Sequence, residues 1–132
     1  MTKAFDFIKQ QCNGVFFLAT INGTKPALRP FGALAEFDGE LYIATSNTKA
    51  VYQQMKANKS VQICALKPGT HDWVRIEGIL NERTDLKSKK AMLEACPNLT
   101  KHYNGPAEPT FAVFAISEIT GTLFIAGTTE TF

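Results

Sequence analysis

Much of what would make a function obvious is missing from this sequence. No apolar run approaches the length of a membrane span. The N-terminal MTKAFDFIKQQCNG carries charge and glutamine where a secretion signal needs an apolar stretch, so no secretion signal is expected. The only cysteines, Cys12, Cys64 and Cys96, are odd in number, far apart and without a C-x-x-C pair. That argues against a disulfide framework or a zinc site and for reduced thiols in a cytoplasmic protein. A formal charge of +2 is too small to argue for nucleic acid or a membrane surface, and neither partner is expected. No G-x-G-x-x-G or P-loop follows a candidate strand, and no G-x-S-x-G is present. His71 and His102 stand alone and read as surface or loop residues, with no spacing that suits a metal. No repeat, linker or low-complexity segment occurs.

What remains is the balance of an ordinary globular domain, 45% hydrophobic and 20% charged, spanning residues 1–132 as one unit. An amphipathic helix is predicted over 2–11, closed by Asn13-Gly14. VFFLATI (15–21) reads as a buried strand, Asn22-Gly23 as a hairpin turn, 26–37 as its partner strand, and Asp38-Gly39 as the turn into ELYIAT. Three strands so joined form an antiparallel meander. A helix over 48–58 follows, capped by Ser46, Asn47 and Thr48. SVQICAL and WVRIEGILNE then pair across Pro68-Gly69-Thr70, with Cys64 expected in the core. A helix over 84–95 is expected to turn Leu86, Ala91, Met92 and Ala95 inward, and Pro97 ends it. Two last strands flank Thr120-Gly121-Thr122. The class is mainly β, an antiparallel barrel of six to seven strands with flanking helices.

Three places in this pattern carry chemistry. Arg29 sits in the apolar PALRPFGALAEF, and alternation puts it on one face with Phe31, Ala33 and Ala35. Beside Gly32 it suits a planar anionic ligand; the favoured reading of the strand alone is a surface arginine extending into solvent at the sheet edge. Lys49 stands in the expected first turn of a helix, at the positive end of its dipole. A bound phosphate at that N-terminus would reverse the mismatch, whereas an exposed lysine would only tolerate it. In WVRIEG, Trp73, Arg75 and Glu77 share a face; either Arg75 pairs with Glu77, the favoured reading of the strand alone, or Trp73 and Arg75 flank a flat ligand.

The ordered set strand, R-P-F-G, D-G-E-L-Y-I-A-T-S-N-T-K, helix ending K-A-N-K-S-V, strand, W-V-R-I-E-G resembles the pyridoxamine 5′-phosphate oxidase-like family of FMN-binding split β-barrels, over nearly the whole chain. The resemblance implies that Arg29 contacts the phosphate and flavin side of FMN and that Pro30, Phe31 and Gly32 lie along its ring. It implies that Thr45, Ser46 and Lys49 hold the phosphate. It further implies a homodimer with flavin at the interface, to which Trp73, Val74 and Phe124 contribute. The arginine-proline tail of true pyridoxamine phosphate oxidases is missing, since this chain ends IAGTTETF. The resemblance is therefore to the short FMN-binding and nitroimidazole-resistance-type members.

The function so implied is that of an FMN oxidoreductase acting on a small organic molecule, with an electron donor such as NADH or NADPH. The alternatives are a flavin store or sensor without turnover, and a split barrel that holds haem or a deazaflavin instead. No side chain stands out as a general acid or base.

Overall fold

The computed structural model describes residues 2–132. An α-helix α1 (Thr2–Asp6) widens into a π-turn (Phe7–Gln11). The strands are β1 (Phe16–Asn22), β2 (Lys25–Phe31), β3 (Leu34–Phe37), β4 (Glu40–Ser46), β5 (Ser60–Leu66), β6 (Trp73–Arg83), β7 (Phe111–Ile125) and β8 (Thr128–Thr131). Helix α2 (Ala50–Ala57) lies between β4 and β5, and α3 (Leu86–Ala95) and a 3-10 turn (Pro97–Lys101) lie between β6 and β7. All pairings are antiparallel, in the order β2-β1-β5-β6-β7-β4-β3, with β8 added to β7. The mainly β, barrel-like reading holds. Among the described residues no helix is long and apolar enough to cross a membrane.

The expected meander breaks at one point. Residues 26–37 do not form a single strand, because the chain leaves β2 after Phe31 and enters β3 at Leu34 with a different neighbour. β2 pairs β1 and β3 pairs β4, so the two outermost strands of the sheet are joined by Gly32-Ala33 alone. The barrel is split there. Alternation also slips across the step: Phe31 and Leu34 pack with the inner core, while Ala33 and Ala35 belong to the outer one. Arg29 therefore does not share a face with Ala33 and Ala35.

Two cores result. Phe16, Leu18, Ile43, Ile63, Ile76 and Phe114 fill the barrel together with α1, the π-turn and α2. A second layer forms outside β3, β4 and β7, where Tyr42, Val113 and Ala115 meet Met92 and Leu93 of α3. The opening half of β7 is thus buried on both faces, which is why FAVFAI reads as an unbroken apolar run. The strand continues to Ile125 through Thr120-Gly121-Thr122, and the turn comes later, at Ala126-Gly127.

Helix α3 buries Ser88, Met92 and Leu93 rather than Leu86 and Ala95, because the inward stripe runs at the four-residue spacing Ser88–Met92–Cys96. Leu86 is 61% exposed. Cys64 also departs from expectation: it alternates outward on β5 and is exposed, while Cys12 and Cys96 are buried.

Candidate functional site

The step from β2 to β3 forms part of the wall of a cleft of about 730 Å³. Arg29, Pro30, Phe31 and Gly32 line it from the end of β2, and Thr45, Ser46, Thr48 and Lys49 from the end of β4 and the turn before α2. Lys9 of the π-turn, Cys96 at the end of α3, and Asn98, Leu99, His102 and Tyr103 also line it. Seven residues singled out in the sequence therefore meet in one place: Arg29, Pro30, Phe31, Gly32, Thr45, Ser46 and Lys49.

Arg29 does not extend into solvent. Its Nη1 donates to the Thr20 hydroxyl at 2.7 Å and to the Leu18 carbonyl at 3.1 Å, and its Nη2 donates to Gln54 Oε1 at 2.8 Å. Burial pushes its pKa down from the usual guanidinium range. No carboxylate pairs with it among the described residues. Its partners are neutral acceptors that fix the guanidinium without cancelling its charge.

Thr45 supplies a second incomplete group. The residue is 5% exposed, and its hydroxyl has no hydrogen-bond partner among the described residues. A buried hydroxyl left so is costly, and native structures seldom tolerate one without a reason. It lines the same cleft as Arg29.

The polar trio before α2 does something other than cap it. Ser46 Oγ sits 2.7 Å from Thr48 Oγ1 and accepts from the Thr48 N–H, while Asn47 is tied by its backbone and amide to Thr110 and Pro109. Lys49 itself, in extended conformation, is the N-cap, and the helix starts at Ala50 with no side-chain cap. An exposed ammonium thus stands at the positive end of a helix whose first turn holds no acid. The whole lining contains Lys9, Arg29 and Lys49 and no Asp or Glu. Three cations without a carboxylate make a field for an anion.

The remaining sequence candidates lie elsewhere. Trp73 and Phe124 stack on each other with centroids 5.8 Å apart, and Val74 is fully buried in the barrel; none of the three lines the cleft. The expected Arg75–Glu77 pair is not formed. Arg75 lies over the Trp73 ring, 5.5 Å from its centroid, and Glu77 accepts from Gln62 across the strand pair at 2.7 Å. Together with Phe17, Leu28 and Leu66, all about half exposed or more, Trp73 and Phe124 give the outer face of the sheet an apolar character.

Sequence reasoning missed Lys9, His102 and Tyr103. Their places in the cleft depend on the π-turn and on the 3-10 turn after Pro97, neither of which has a periodic signature. Tyr103 packs on Phe111 at 4.5 Å, and burial raises its pKa. His71 lies exposed in the β5–β6 turn, outside the cleft.

Comparison with known proteins gives a consistent result. The family model described as pyridoxamine 5′-phosphate oxidase matches residues 1–122. A NimC/NimA family protein from Clostridium acetobutylicum shares 37% identity across the whole chain and 91% of its own, with a TM-score of 0.91. A pyridoxamine 5′-phosphate oxidase-related, FMN-binding protein from Nostoc punctiforme matches 98% of the chain and 85% of its own at 16% identity and a TM-score of 0.69. A FAD-binding protein from Mesorhizobium loti matches 91% of each chain at 22% identity and a TM-score of 0.59. These last two likenesses are of fold. No curated protein matches the sequence.

Proposed function

The chain belongs to the pyridoxamine 5′-phosphate oxidase family, and on that premise we propose that its cleft binds FMN and that the protein is a homodimeric oxidoreductase for a small organic molecule. The observation that carries this reading is the partly buried Arg29 guanidinium, fixed by Thr20 and Gln54 and left without a carboxylate partner among the described residues, in a cleft whose lining holds no Asp or Glu. A phosphate would supply the counter-charge.

The residues present fit such a ligand. The orphan Thr45 hydroxyl, the Ser46 hydroxyl, the Lys49 ammonium and Arg29 would hold the phosphate, and the Pro30-Phe31-Gly32 backbone would run along the ring. Bound flavin supplies electron transfer, and the protein supplies binding, orientation and electrostatics. Arg29 would also favour negative charge on the reduced ring. NADH or NADPH is the proposed electron donor.

The apolar outer sheet face supports the dimer, because exposed Phe17, Leu28 and Leu66 gain by being covered. In that arrangement Trp73 and Phe124 serve the partner's cleft, and buried Val74 contributes through its backbone alone.

The test is the visible spectrum after incubation with FMN and gel filtration. Retained flavin bands support the reading, and a colourless protein overturns it. Replacing Arg29 and Lys49 together with alanine is expected to weaken FMN binding by at least about a hundredfold, since two charge-assisted contacts are lost. Reduction of the bound flavin by NADH or NADPH, followed by reoxidation with an added acceptor, separates an oxidoreductase from a flavin store.

A further inference from the structure

Lys9 adds to the positive field of the cleft, but the reading above gives it no ligand group of its own. Its helix is amphipathic, with Phe7 and Ile8 buried in the barrel. In the widened turn Phe7–Gln11 the Lys9 side chain reaches across to β3, where Nζ donates to the Leu34 carbonyl oxygen at 3.2 Å. The Cys96 thiol donates to that same oxygen at 3.4 Å. Lys9 and Cys96 both line the cleft, tied to the Leu34 carbonyl of β3 and not to the ends of β2 and β4.

The ammonium has three donors, and this one carbonyl is the acceptor the structure gives it. It forms no ion pair with a carboxylate among the described residues, although Lys3, Lys56 and Arg83 all do. Half-buried lysines without a counter-charge are unfavourable unless something else supplies one. The lining of the cleft also holds Phe31, Pro97, Leu99 and Tyr103. One compact cation in a cleft that offers such apolar and aromatic groups suits a monoanion on a flat body. A dianionic phosphate needs the denser cation set at Arg29 and Lys49.

From this placement we infer that Lys9 is a second anion anchor of the cleft, separate from the phosphate cradle, and that it takes the carboxylate of a small flat organic acid. The inference rests on the flavin reading only in that the cleft is shared between the cofactor and this second molecule.

Benzoate is a suitable probe, with uncharged benzamide and inorganic phosphate as comparisons. Each is titrated by calorimetry into the protein loaded with FMN and into the flavin-free protein, for the native sequence, Lys9→Met and Lys9→Arg. Benzoate is expected to bind the native protein, to lose about tenfold in affinity in Lys9→Met, and to keep most of it in Lys9→Arg, because a hydrogen bond to a charged group is worth about that factor. FMN affinity is expected to stay within about twofold in both variants. Four results would overturn the inference: no benzoate binding, equal benzoate affinity in Lys9→Met, benzamide binding as tightly as benzoate, or phosphate displacing benzoate at equal concentration. Loss of FMN in Lys9→Met would also overturn it, by making Lys9 part of the cofactor cradle. A native protein that takes no FMN removes the flavin reading, and the flavin-free titration still decides the role of Lys9.

Discussion

Thr20 and Arg29 lock each other across the β1–β2 ladder. The Thr20 hydroxyl accepts from Arg29 Nη1 at 2.7 Å and donates to Gln54 Oε1 at 2.6 Å, and Gln54 Oε1 accepts in turn from Arg29 Nη2. Two strands and a helix thereby fix one guanidinium, and each member of the ring uses another to satisfy its polar atoms. Thr20 is 2% exposed, so water is a poor substitute for any of them.

Thr20→Val keeps the shape and removes the hydroxyl. It leaves Gln54 and Arg29 each short of a partner, which is expected to cost about 1–2 kcal/mol of unfolding free energy. The larger consequence is that Arg29 loses its fixed aim, so FMN affinity is expected to fall although Thr20 is not a cleft residue. Urea unfolding and a flavin titration measure the two effects. Unchanged FMN affinity would mean that Gln54 and the Leu18 and Ala27 carbonyls position Arg29 without Thr20.

Thr45→Val is the opposite case. Its hydroxyl is buried without a partner, so replacing it with a methyl removes a desolvation penalty, and the flavin-free protein is expected to be as stable or about 1 kcal/mol more stable. The same change removes a donor to the bound phosphate, and FMN affinity is expected to drop about tenfold. Stability and affinity should therefore move in opposite directions. A loss of both would show that the hydroxyl already serves the fold.

The contrast between these two threonines shows how far the sequence could be read. Arg29, Thr45, Ser46 and Lys49 could be placed together only through the family resemblance, which rests on an ordered pattern of strand ends and a helix start; local periodicity gave the elements but did not join the four. Thr20 looked like one more residue of a buried strand. Its role depends on register, with Leu18 opposite Arg29 and Thr20 two residues further on, and on α2 packing over β1. Lys9 and Tyr103 were hidden for a related reason, since irregular turns aim them. The resemblance implied a split barrel, but the break between β2 and β3 was not located, because nothing local in RPFGALAEF tells a continuous strand from one that changes partners at Gly32-Ala33.

Gly78 marks the place where β6 and β7 fall out of register. Glu77 pairs with Thr120 and Ile79 with Ser117, so Glu118 and Ile119 together oppose Gly78, and Glu118 takes a positive φ of 52°. A Cβ at position 78 would meet the Ile116 side chain and come within 2.9 Å of the Ser117 carbonyl oxygen. The backbone oxygen cannot give way without disturbing the bulge. Gly78→Ala is expected to destabilise the protein by about 1–3 kcal/mol, seen as a lower urea midpoint with an unchanged slope. A neutral result would mean that the bulge shifts freely and does not set the bend of β7.

Helix α3 offers a test that depends on pH. Asp85 caps its N-terminus, accepting from the Ser88 N–H at 2.9 Å. Hydrogen bonds from Ser88, hydroxyl first and backbone N–H second, hold the Asp85 carboxyl below its ordinary value of 3.8. A carboxyl with a depressed pKa binds its proton less readily in the folded chain than in the unfolded one. Its stabilising effect is therefore present above pH 3.8 and lost as the pH falls through the lower folded value. Asp85→Asn keeps an acceptor for the cap and removes the charge that favours the helix N-terminus. The variant is expected to melt below the native protein at about pH 6, with a smaller gap at a pH well below 3.8, where the native carboxyl takes up its proton. A gap of the same size at both pH values would show that Asp85 acts by geometry alone.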